Sequence, residues 1–172
     1  MARSVREQNQ RIALCGLLVS LMLVLGYVET LIPIPIGVPG VKLGLSNGVL
    51  LFALYLLDIP TAFLLMVLKV VLSGLLFGGV SAMMYAFAGG LLSMIAMTAL
   101  RCVKGIHPVT VSMIGGVAHH VGQVGLAMLI VKTSLLVYHM AVLMLVGLAA
   151  GALTGVVANS VLTHFRKINR GK

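Results

Sequence analysis

Between Ile12 and Leu162 the only charged residues are Glu29, Lys42, Asp58, Lys69, Arg101, Lys104 and Lys132, and long apolar runs separate them. Such runs do not suit the surface of a water-soluble domain, whereas a helix needs about 20 consecutive apolar residues to cross the hydrocarbon core of a bilayer. The runs fall at roughly 12–31, 45–57, 61–77, 82–100, 109–131 and 135–162. In lipid every backbone N–H and C=O must be paired within the chain, so each run is expected to be a helix. The expectation is an all-α, polytopic membrane protein, one domain over residues 1–172 built as a six-transmembrane-helix bundle. The second run is short for a full crossing and must borrow from the segment before it or lie tilted inside the bundle.

Composition agrees, with 60% hydrophobic residues, 9% charged and a mean hydropathy of +1.17. The formal charge of +9 does not mark a nucleic-acid binder, because most of the Lys and Arg lie at the two ends and in one short loop. When six helices are threaded, Arg3, Arg6, Arg11, Arg101, Lys104, Arg166, Lys167, Arg170 and Lys172 share one side, and Lys42 and Lys132 the other. The positive-inside rule then puts both termini in the cytoplasm, the chain in the cell membrane and the 29–47 segment outside. Cys15 and Cys102 lack a C-x-x-C spacing and indicate neither zinc nor a disulfide framework. No small-residue cleavage site precedes Glu29, so the first run reads as a retained helix and not a signal peptide.

The segment from Glu29 to Asn47, E-T-L-I-P-I-P-I-G-V-P-G-V-K-L-G-L-S-N, breaks the apolar pattern. Pro33, Pro35 and Pro39 stop any helix, and Pro39-Gly40 is a turn signal. Ser46 or Asn47 can cap the helix that follows, and an uncapped start would attract an anion. Two readings stand: a binding loop contributing Glu29, Lys42 and Asn47 to a substrate, or a structured connector. Inside the helices, Lys69 should face the bundle interior or a hydrated cavity, paired with Glu29, with carbonyls or with an anionic substrate. In G-G-V-A-H-H-V-G-Q, His119 and Gln123 are four apart and share a face, while His120 points about 100° away. That geometry disfavours metal or haem, and the eleven methionines read as packing residues. His119 and Gln123 serve equally as substrate contacts or as ordinary interhelical hydrogen bonds. Tyr85, Tyr138 and His139, nearer helix ends, read as interfacial anchors or as ligands. Small residues at four-residue spacing (Gly147, Gly151 and Gly155, with Asn159 continuing the face; Gly89 and Ser93; Gly16 and Ser20) mark helix-packing faces. For Gly16 and Ser20 a partner surface is the alternative.

The run P-G-V-K-L-G-L-S-N, Lys69 ahead of L-L-F-G, A-G-G-L-L-S-M and G-G-V-A-H-H-V-G-Q together resemble the Gx transporter family, also known as heptaprenyl diphosphate synthase component I. The resemblance covers nearly the whole chain. It departs at His119-His120, where relatives commonly have His-Asn, and at Met140, where proline is common. That family is similar to the S components of energy-coupling factor transporters, which implies a six-helix, substrate-binding membrane subunit working with a transmembrane T subunit and two ATPases. The synthase name is at odds with the chemistry. Prenyl transfer needs aspartate-rich motifs to hold Mg²⁺, and the chain has three acidic residues and no G-x-x-x-x-G-K-[ST] loop. No enzyme activity, cofactor or metal is therefore expected. Two functions remain: uptake of a small, anionic or amphipathic, cofactor-like or isoprenoid-related molecule, or a non-catalytic accessory role in isoprenoid, quinone or flavin-linked electron-transfer metabolism.

Overall fold

The computed structural model describes residues 4–31, 45–133 and 135–170. Six α-helices occur among them: α1 (Val5–Leu31), α2 (Ser46–Leu56), α3 (Ile59–Ser73), α4 (Gly79–Arg101), α5 (Pro108–Val131) and α6 (Leu136–Arg170). A π-helical turn at Gly74–Gly78 joins α3 to α4. Helix α1 begins well ahead of its apolar run because Ser4 and Glu7 cap it reciprocally. The Ser4 N–H donates to Glu7 Oε2 at 3.2 Å, and the Glu7 N–H to Ser4 Oγ at 3.4 Å. Prolines open α3 and α5, where a missing N–H costs no helical bond. Helix α6 likewise runs past its apolar stretch into the basic tail.

Four segments of the described chain are long and apolar enough to cross a membrane: α1, residues 59–101, α5 and the 136–165 part of α6. A straight helix over 59–101 would be about 65 Å long, roughly twice the hydrocarbon thickness. It doubles back instead at Gly78–Gly79, where Gly79 takes φ +71°, a left-handed conformation that glycine adopts without strain. The contacts fix the reversal. A Cβ on Gly90 would stand 3.0 Å from Met66 Sδ, and one on Gly74 would stand 2.7 Å from Met83 Cβ, so α3 and α4 lie antiparallel.

Short α2 is the centre of the bundle. Every residue from Ser46 to Leu54 is buried, and the helix packs against α1, α3, α5 and α6, with lighter contact to α4. Its leucines, Val49, Phe52 and Ala53 join Met22, Met66, Val70, Met97 and Val111 in the main core. Neither Ser46 nor Asn47 caps it, contrary to the sequence expectation. The Glu29 carboxylate from α1 does so, accepting the Ser46 N–H at 3.3 Å. At the other end Arg101 donates to the Leu54 carbonyl and its guanidinium lies 5.4 Å from the Tyr55 ring centroid. Beyond it, Asp58 is held by Arg11 and by the Thr61 hydroxyl. The bundle is thus polarised, with Arg11 and Arg101 at one end and Glu29 towards the other.

Candidate functional site

Five of the buried polar residues, Glu29, Lys69, Ser73, His119 and Gln123, gather where α1, α3, α4 and α5 meet. A cavity of about 20 Å³ lies there, lined by Gly26 and Glu29 of α1, Lys69, Val70 and Ser73 of α3, Gly74 of the π-helical turn, Ala82, Met83 and Ala86 of α4, and His119 and Gln123 of α5. Lys69 and Ser73 are one turn apart, and His119 and Gln123 likewise, so each helix offers a pair on one face. All four are buried, as is Glu29. Small residues let the helices around it approach closely. A Cβ at Gly89 would stand 2.7 Å from Gln123 Cγ and 3.0 Å from His119 Nδ1, and Gly26 leaves Ser73 Oγ 3.9 Å from where its own Cβ would be.

Hydrogen bonding in this region is incomplete. Among the described residues His119 Nδ1 and both Gln123 amide atoms, Oε1 and Nε2, have no partner, although Gln123 is 1% exposed. A buried amide left unpaired in this way costs about 1–3 kcal/mol, and natural proteins keep few such groups without a reason. A bound molecule or ordered water would satisfy them.

Of the residues expected from sequence, Glu29, Lys69, His119 and Gln123 line this one cavity. Asn47 is buried on α2 with its Nδ2 unpaired and does not line it. Lys42 lies outside the described residues. Ser73 joins the site by its four-residue spacing from Lys69, and Gly89, behind the lining, lets α4 pack against His119 and Gln123. His120 faces the other way, its Cδ2 2.5 Å from where a Cβ of Gly147 on α6 would stand. No three His, Cys, Asp or Glu side chains among the described residues lie close enough to share a metal ion. Tyr85 is buried within α4, whereas Tyr138 and His139 are exposed near the start of α6.

The glycine faces differ in what they meet. Gly147, Gly151 and Gly155 approach α5 at Gly116, Ser112 and Val109, in the backbone contact that small residues permit in lipid. Gly16 has nothing within 4 Å of its would-be Cβ, and exposed Ser20 merely returns its hydroxyl to the Gly16 carbonyl at 2.9 Å.

Apolar helices enclosing a buried cavity of polar side chains define an all-helical protein of membrane type. The chain belongs to the heptaprenyl diphosphate synthase component I family, whose model matches residues 18–161. That description names a component of a synthase, a subunit and not a whole enzyme. No curated protein and no solved structure gives a significant match.

Proposed function

We infer that the chain is the substrate-binding membrane subunit of a transporter, similar in role to an S component, and takes up a small amphipathic, cofactor-like molecule. It crosses the cell membrane six times, with α2 as a short inner crossing and both termini cytoplasmic. The observation that carries the reading is the unpaired Gln123 amide, with His119 Nδ1 beside it, in a cavity shared with Lys69 and Glu29. The reversal at Gly78–Gly79 and the arginines gathered at one end support the crossing count and the orientation. Lys42 is assigned to the ligand from the outer loop, and a T subunit and two ATPases would supply the energy.

The alternative is a non-catalytic accessory of isoprenoid, quinone or flavin-linked electron-transfer metabolism, favoured by the family's description as a synthase component. Catalysis of prenyl transfer does not suit these residues. Glu29 caps α2 while Asp58 is tied to Arg11 at the far end of the same helix, so these two carboxylates do not converge on one Mg²⁺ site. Native mass spectrometry of the detergent-extracted chain is the test. A retained small molecule, together with co-purifying T and ATPase subunits, is the expected result. A ligand-free chain that co-purifies with a prenyl synthase instead would overturn the transport reading.

A further inference from the structure

The polar lining bears on the chemistry of the ligand, and this step rests on reading the cavity as a ligand site. Gln123 presents a carboxamide whose acceptor and donors are both unused, and a group carrying a donor beside an acceptor matches it with two parallel hydrogen bonds, as glutamine does with the edge of adenine. His119 Nδ1, also unpaired, adds a third hydrogen bond whose direction its tautomer decides. The bare Cα of Gly89 lets α4 press directly against both side chains, which fixes where they stand.

Charge argues in the same direction. From sequence, Lys69 has an anionic substrate among its candidate partners, but Glu29 lines the same cavity, so among the described residues one ammonium and one carboxylate line the same space. A diphosphate drawn to Lys69 would meet the Glu29 carboxylate, and like charges repel strongly where little water screens them. No arginine among the described residues lines the cavity, and the nearby start of α2 already holds Glu29.

We propose that the group held in this cavity is uncharged and carries an adjacent hydrogen-bond donor and acceptor, as in a primary amide, a lactam or an amino-heterocycle edge, read by Gln123 and His119. A phosphate or diphosphate does not enter it.

The test uses the full chain in lipid nanodiscs and follows its melting temperature against two probe sets: nicotinamide and lumichrome, both uncharged, and farnesyl diphosphate and inorganic pyrophosphate. An uncharged probe should raise the melting temperature, and Gln123→Met should weaken its binding about tenfold or more. The ligand-free variant should melt no lower than the wild type, since a thioether of similar length replaces an unpaired buried amide. Gln123→Leu serves if the first variant does not fold. A diphosphate that binds the wild type and is lost in Lys69→Met would overturn the ligand class while keeping the cavity as a site. An uncharged probe indifferent to both Gln123 variants would also overturn the class. Absence of binding by every probe would remove the class and the site reading together.

Discussion

Gly116→Ala and Gly125→Ala are the same change on the same helix, and they should differ sharply in stability. A Cβ at Gly116 would stand 2.2 Å from the Gly147 carbonyl oxygen and 3.0 Å from the carbonyl carbon, whereas one at Gly125 meets nothing within 4 Å. Backbone cannot swing aside as a flexible side chain can, so α5 and α6 must separate by about 1 Å, and a gap of that size forfeits a quarter to a half of the dispersion attraction at each facing atom pair. Overpacking of this kind costs about 1–3 kcal/mol. The helix-propensity gain of up to about 1 kcal/mol on replacing glycine is common to both variants, so the difference between them is the overpacking itself. Reversible unfolding of the detergent-solubilised variants in an SDS titration reads it. Equal stability, or a less stable Gly125→Ala, would refute the close backbone contact on which this account of the α5–α6 interface depends.

Three further outcomes can be checked. Lys69→Met and Glu29→Gln should be coupled in a double-mutant cycle, by about 0.5–3 kcal/mol, because both charges line one cavity; additive effects would show that the two charges do not sense each other. Arg101→Met should cost about 1.5–3 kcal/mol through the lost charge-assisted bond to the Leu54 carbonyl, and Arg101→Lys should recover only part, since lysine lacks the planar fork; full recovery by lysine in thermal melts would count against that geometry. Exposed Cys102, at the end of α4, should react with an impermeant maleimide only after cell lysis, and labelling in intact cells would invert the assigned orientation.

How far the sequence reveals this fold depends on which interactions are local. Apolar runs locate the helices because lipid forces each to satisfy its own backbone. The capping box at Ser4 and Glu7 is equally local, yet it lies in polar sequence outside the first run, and so does the seven-residue start of α1 that it supports. Capping of α2 by Glu29 is not legible at all, because it joins residues 17 apart in sequence and displaces the nearer Ser46 and Asn47. The site is legible to the extent that polar residues are rare: Glu29, Lys69, His119 and Gln123 stand out against their runs and meet in one cavity. Asn47 stands out for the same reason and belongs elsewhere, since rarity marks burial without saying against what.

The cavity's size sets a last expectation. Its 20 Å³ hold about one water, so admitting a molecule of even a few heavy atoms requires the surrounding helices to part. They are not equally free to do so. Between α4 and α5 a Cβ at Gly122 would stand 2.6 Å from the Ala88 carbonyl oxygen, and between α5 and α6 the Gly116–Gly147 approach is as close. On the α1 side, among the described residues the nearest atom to a Cβ on cavity-lining Gly26 is the Ser73 hydroxyl at 3.9 Å, and no backbone of another helix comes within 4 Å. Interlocked backbones resist separation more than side chains in ordinary contact, so opening is expected by movement of α1 away from a fixed α4–α5–α6 unit. Spin labels report it at exposed Val28 of α1, Val80 of α4 and Ile130 of α5. On addition of a bound probe the 28–130 distance should change while the 80–130 distance stays constant, and an equal change in both would show that the glycine contacts do not hold α4 and α5 together.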